Sequence, residues 1–233
     1  GLRWDLAVAL MGELRQSTTF GPDAVSYNAV ISACAKGQRW VGALELFREI
    51  WRDGLQPSVV SANTVLNACE RGRAWELALG FLRDMQSWGL HPDVISYSIS
   101  ISACERGEHW GRAVGLFEEM QSRDIKPNAI SCCAAINACG EARWWERALS
   151  LFTDSRVCQD GTLGSVGDCA STWEVCDRIL RVLLLTGCWS EALALYREAL
   201  EAGLVLPWHT VEPEVMDLHR FSLQVAELAV SDV

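Results

Sequence analysis

A 35-residue period limits what this chain can fold into more than any other feature. Trp40, Trp75, Trp110 and Trp145 recur at intervals of 35, and Trp4 precedes them by 36. Pro57, Pro92 and Pro127 keep the same interval, as do Ala43, Ala78, Ala113 and Ala148. Phe47, Leu82, Phe117 and Phe152 fill another shared slot, and Ile50, Met85 and Met120 another. Self-similarity at this period marks stacked supersecondary units rather than one closed domain.

Each unit reads as two helices. Tyr27, Val30, Ile31 and Cys34 fall at i, i+3, i+4 and i+7, one face of a 3.6-residue helix, and Ala62, Val65, Leu66 and Cys69 repeat the pattern. Lys36-Gly37, Arg71-Gly72 and Arg106-Gly107 are expected to end this helix, the glycine taking a left-handed cap conformation. Trp40, Ala43, Leu44 and Phe47 carry the second helix, which stops at Gly54 or Gly89 ahead of a proline that cannot continue it. In the third unit Asp124 stands at that glycine slot, a conformation Asp also visits.

One such pair cannot cover its own apolar face, so neighbours must stack. The expected fold is all-α, a right-handed solenoid of antiparallel helix pairs with a short strand-helix tail. The repeats occupy residues 1–153, as a partial unit 1–23, full units 24–58, 59–93 and 94–128, and an incomplete 129–153. Residues 154–170, with Gly161, Gly164 and Gly167, read as a loop insertion. No strand precedes them, so they are not a phosphate-binding fingerprint. A degenerate helix pair over 171–207 follows, with Trp189, Ala192, Leu193 and Tyr196 at second-helix spacing. Residues 208–233 are a linker and a final short segment.

Charge bears on the partner. The net is -10, which argues against indiscriminate binding to a polyanion. Residues 1–163 hold 16 Lys and Arg against 19 Asp and Glu, and residues 164–233 hold 4 against 11, so the acidity lies mostly in the last third. The most apolar stretch, Ile179 to Leu185, is too short to span a bilayer and contains Arg181, so no membrane is expected. Four of the 10 cysteines, Cys34, Cys69, Cys104 and Cys139, keep the 35-residue period. Helices stacked about 8–10 Å apart hold such cysteines beyond disulfide reach. No Cys-x-x-Cys pair suggests zinc, so these are expected to be small core residues, with no metal and no cofactor. The tryptophans open the outer helix, which favours packing over base stacking.

The junctions Pro-Asp-Ala-Val-Ser-Tyr-Asn (22–28) and Pro-Asp-Val-Ile-Ser-Tyr-Ser (92–98) resemble the pentatricopeptide repeat (PPR) consensus. So do Ala-Leu-Glu-Leu-Phe-Arg-Glu-Ile (43–50) and Ala-Val-Gly-Leu-Phe-Glu-Glu-Met (113–120). The resemblance implies sequence-selective binding of single-stranded RNA, one base per repeat, by a monomer acting in RNA processing, stability or translation. It implies an organelle, plastid or mitochondrion, with any targeting peptide outside this sequence, since Gly1 falls mid-repeat.

It also implies base-reading pairs at the fifth and last slots: Asn28 with Ser58, Asn63 with Asp93, and Ser98 with Asn128. The family's code gives C, U and A for these pairs, while Cys133 at the fourth reading slot reads nothing. Val25, Val60 and Ile95 would wedge between bases, and Lys36, Arg71 and Arg106 would face phosphates. Ser58, Asp93 and Asn128 are equally good helix N-caps, and a terminal Lys or Arg also matches the helix dipole. Asn28 and Asn63, inside a helix, have no such second role. The alternative for a helix-pair chain is a scaffold for protein partners, similar to tetratricopeptide repeats but with a unit one residue longer.

In the tail, Val215 to His219 can form a strand with Asp217 and His219 on one face. Ser222 can cap a helix bearing Leu223, Ala226 and Val230. The segment resembles the opening of a small MutS-related (SMR) domain, with Arg220 where that family has Gly. This would make Asp217 and His219 catalytic in an RNA endonuclease if the domain is complete in a longer parent. Alone, the segment is expected to be non-catalytic, because a general base needs the rest of its site.

Overall fold

The structure, a computed structural model, describes residues 4–16, 21–157 and 169–201. Every regular element among them is an α-helix. Helix α1 (Trp4–Gln16) precedes four pairs of 13-residue helices. The first helices are α2 (Ala24–Lys36), α4 (Val59–Arg71), α6 (Val94–Arg106) and α8 (Ala129–Glu141). The second helices are α3 (Trp40–Arg52), α5 (Trp75–Ser87), α7 (Trp110–Ser122) and α9 (Trp145–Val157). Two further helices follow, α10 (Cys169–Thr186) and α11 (Trp189–Glu201). The chain forms two compact units, Gly1–Ile125 and Lys126–Val233.

Side-chain caps start the first helices. Asp23, Ser58, Asp93 and Asn128 each accept from the backbone N–H three residues on, and at Ser58, Asp93 and Asn128 the serine there reciprocates. Each cap satisfies N–H groups that would otherwise lack a partner at the helix start. Arg39, Ala74 and His109, which open the second helices, have no side-chain cap. Their own N–H groups instead reach back to the carbonyls of Cys34, Cys69 and Cys104 at 2.9 Å, closing the turn from the helix before.

That turn differs from the sequence expectation. Gly37, Gly72 and Gly107 have φ of -83, -81 and -83°, ordinary for any residue. The left-handed residue is the next one: Gln38, Arg73 and Glu108, at φ 57, 54 and 62°. The glycines serve close approach instead. A Cβ would lie 2.6 Å from Trp4 at Gly37, 2.2 Å from Trp40 at Gly72 and 2.6 Å from Trp75 at Gly107. Each tryptophan therefore packs close against the helix end of the following repeat. At the ends of the second helices the expectation holds, with Gly54 and Gly89 at φ 72 and 74° and Asp124 at 60°.

In the first unit the first helices pack side by side, α2 on α4 and α4 on α6, with the second helices against them. The core holds the periodic residues: Tyr27, Ile31, Leu66, Tyr97 and Ile101 from the first helices, Phe47, Ile50, Met85, Phe117 and Met120 from the second. Cys34, Cys69 and Cys104 are buried among them, and burial pushes the thiols of Cys69 and Cys104 up to about 11, where they are inert. Among the described residues no three His, Cys, Asp or Glu gather as a metal site. No described helix is long and apolar enough to cross a membrane.

In the second unit α10 packs on α8 as α4 packs on α2. A Cβ at Gly140 would lie 2.6 Å from Val182, so the glycine admits the longer helix. Val175, Cys176, Ile179, Leu180 and Leu183 bury its inner face, and Ala192 and Tyr196 of α11 join them. Of the loop expected over 154–170, residues 154–157 belong to α9 and 169–170 to α10, and 158–168 lie outside the described residues. Every second helix extends 12 residues past its tryptophan, which carries α9 through Asp154. The expected strand at Val215–His219 lies outside the described residues, as do Asp217 and His219.

Two glycine substitutions should separate close approach from helix propensity. Gly72→Ala is expected to cost about 1–3 kcal/mol, since its Cβ overlaps the Trp40 ring. Gly80→Ala, inside α5 with open space around its Cβ, should stabilise by about 0.5–1 kcal/mol. Urea unfolding followed by circular dichroism measures both, and equal effects would contradict the packing role.

Candidate nucleic-acid interface

The residues expected to touch RNA fall on one stripe of each first helix. At 100° per residue, positions 25, 28, 32 and 36 of α2 stay within about 80° of one another. Adjacent first helices run about 8–10 Å apart, so each slot stands beside its counterpart in the next repeat. In the first unit the stripes of α2, α4 and α6 therefore form one surface.

Its edge is aliphatic and exposed. Val25, Val60 and Ile95 are 73, 65 and 50% accessible. A β-branched side chain at a helix start is a poor choice for solvent, and three in register are not scattered surface residues. In the second unit Ile130, at the same slot of α8, is 62% accessible. The sequence reading stopped one repeat short of it, although the 35-residue period alone points there.

Behind this edge stand the reading slots. Asn63 is 8% and Ser98 3% accessible, while Asn28 is half-buried. Asn63 Nδ2 donates to Asp93 Oδ1 at 3.1 Å, which joins two expected partners 30 residues apart in sequence. Burial alone would raise the Asp93 carboxyl. The N–H of Ser96 and the side chains of Asn63 and Ser96 outweigh it and hold the group below the usual value. Asp93 is therefore an ionised, acceptor-only group at neutral pH.

The other pairs differ. Ser98 Oγ donates to the carbonyl of Val94 at 2.6 Å, a bond within its own helix. Asn28 Oδ1 is buried and has no partner. Ser58 is exposed, its hydroxyl 3.1 Å from that of Ser61. Asn128 caps α8, its Oδ1 accepting from Ser131 N at 2.9 Å. Cys133 is half-buried. The capping role open to Ser58, Asp93 and Asn128 is thus filled by all three.

Lys36, Arg71 and Arg106 end their helices on the same stripe and are exposed. Arg71 Nε donates to Asn67 Oδ1 at 2.9 Å, and Arg106 Nε lies 3.5 Å from Glu70 Oε1. Arg71 is thereby aimed along its own helix, and Arg106 across to α4 of the preceding repeat. Sequence reasoning missed Asn67, one turn before Arg71, and also Ser61 and Ser96, third in their repeats. Both serines recur at the repeat period, but serine near a helix start reads as a capping residue.

Comparison with known proteins comes to the same architecture. The PPR repeat family matches residues 22–70 and 57–106, and the PPR repeat matches 95–125 and 130–157. Among solved structures, the chain is similar to the pentatricopeptide repeat protein PPR10 in complex with an 18-nt psaJ RNA element. The TM-score is 0.64 and the identity 23%, over 98% of this chain and 36% of that one. PPR10 from maize gives 0.64 and 24%, over 99% of this chain and 33% of that one. The PPR domain of Arabidopsis thaliana protein-only RNase P 1 in complex with tRNA gives 0.61 and 14%, over 77% of this chain and 91% of that one. The chain thus spans about a third of PPR10. A search of curated protein sequences returned no match. With the family matches together covering more than half of its length, the chain belongs to the pentatricopeptide repeat family.

Proposed function

We propose that this chain binds single-stranded RNA along the stripe of its first helices, one base per repeat, and selects 5′-CUA-3′ through three consecutive units. The observation that carries this reading is the bond between Asn63 and Asp93, behind an exposed aliphatic edge. An amide and a carboxylate held together present one N–H donor and one acceptor oxygen to a base edge. Uracil matches them, with N3–H for the carboxylate and a flanking carbonyl for the amide, and cytosine, whose N3 is a lone pair, does not. Two structures of similar fold hold RNA, which supports the same class of ligand here.

The repeats act by binding. Any cutting would fall to the segment around Asp217 and His219, completed by a longer parent chain. The site of action is a plastid or mitochondrion, where processing, stability or translation of a transcript would depend on the bound protein. Both statements rest on resemblance.

Affinity should be modest. Three stacked bases contribute about 1–3 kcal/mol each before the cost of association, which puts Kd in the micromolar range or weaker. Anisotropy titrations on four RNAs differing only at the middle base should rank U first. Asn63→Ser with Asp93→Asn should move the preference toward A. An unchanged ranking would refute base reading and favour a scaffold for protein partners.

The basic slots predict a different response. Lys36, Arg71 and Arg106 replaced together by Ala should weaken all four RNAs alike, and the slope of log K against log salt should flatten by about 2 for three lost phosphate contacts. A sequence-dependent loss would contradict the phosphate assignment.

Val25, Val60 and Ile95 replaced by Ser should change unfolding free energy by no more than about 0.5 kcal/mol each, as for exposed positions generally. They should nevertheless weaken RNA binding. A large loss of stability would make these residues part of the fold instead of the interface.

A further inference from the structure

We infer that Ser96 is a specificity-positioning residue: its buried hydroxyl fixes the amide of Asn63 in the orientation that presents only N–H to the middle base. This rests on the RNA reading above and adds a residue outside the reading slots. Ser96 Oγ lies 2.6 Å from Asn63 Oδ1 and 3.0 Å from Asp93 Oδ1, and it accepts from Asp93 N at 3.2 Å. One hydroxyl hydrogen serves two acceptors. If it pointed at Asp93, two oxygen lone pairs would face each other across 2.6 Å, so it must go to Asn63. The Asn63 carbonyl is then turned toward Ser96, with one of its two lone pairs filled. One Nδ2 hydrogen goes to Asp93 Oδ1, and the second is the amide's remaining offer to a base.

The preceding repeat supplies a natural comparison. Ser61 holds the place of Ser96, and it too forms a capping box, with Ser58. Its hydroxyl stands beside the Ser58 hydroxyl at 3.1 Å, and Asn28 Oδ1 is left buried without a partner. The same asparagine therefore differs in what it offers. No hydrogen bond fixes the Asn28 oxygen, whereas Asn63 Oδ1 is turned toward Ser96, which leaves the amide N–H for the base and disfavours the exocyclic amine of cytosine relative to uracil.

Removing the Ser96 hydroxyl would strand the Asn63 carbonyl as Asn28 is stranded. The amide would then turn outward to find a donor and admit cytosine. Anisotropy titrations of the full 233-residue chain should show this on the RNA pair differing only in U or C at the middle base. Ser96→Ala is expected to lower the U-over-C preference by about fivefold, the worth of one hydrogen bond. Ser96→Thr, which keeps a hydroxyl, should retain the preference.

Ser61→Ala is the control, because it breaks an equivalent capping box. It should lower Tm about as much as Ser96→Ala and leave the middle-base ratio unchanged, which a purely structural role for Ser96 would not allow. If Ser96→Ala does not fold, Ser96→Cys keeps the volume with a weaker donor, and the ratio should fall at least about twofold. A wild-type ratio in Ser96→Ala or Ser96→Cys, with the preference lost in Asn63→Ala, would overturn the role of Ser96 and leave base reading standing. A ratio unmoved by Asn63→Ala would overturn both.

Discussion

Each repeat of the first unit is registered to the next by a tryptophan lying where another residue's Cβ would be. Trp4, Trp40 and Trp75 occupy that space over Gly37, Gly72 and Gly107. The contact joins the start of one second helix to the end of the next first helix, so it sets both the spacing and the rotation between repeats. Interiors at crystal-like packing density do not absorb a displaced ring cheaply. The alignment of Val25 with Val60 and Ile95 follows from this contact. A solenoid built on propensity alone would have helices but no common stripe.

The fold was legible because its signal is repeated. A single tryptophan or proline says little, whereas the same residue at three or four successive intervals locates helix starts to the residue, as at Trp40, Trp75 and Trp110. What escaped was the reason for a residue that the pattern had already found. Glycine at a helix end has two physical uses, left-handed φ and close approach, and a sequence does not separate them. Here Gln38, Arg73 and Glu108 take the left-handed angle and the glycines take the approach.

The candidate site was legible in its slot positions and not in its hydrogen bonds. Slot positions follow from the period, so Asn28, Asn63 and Ser98 could be named as equivalents. Their equivalence ends at the hydrogen bonds: Asn63 is tied to Asp93 and Ser96, Ser98 to its own helix, and Asn28 Oδ1 to nothing. These differences arise from the cap residue across the repeat boundary, Ser58 in one case and Asp93 in the other. No reading of a single slot contains that information.

The double use of the last slot has a further consequence for how such a surface can change over generations. Ser58, Asp93 and Asn128 each start a helix, and among residues with a side chain to offer only Ser, Thr, Asp and Asn do so without a loss of about 1 kcal/mol. If the same side chains also read bases, their recognition alphabet is the alphabet of helix caps. Exchange within that set alters what the slot offers, a hydroxyl, a carboxylate or an amide, while the helix start hardly registers the change. Target preference can then drift along a nearly level stability landscape, one repeat at a time.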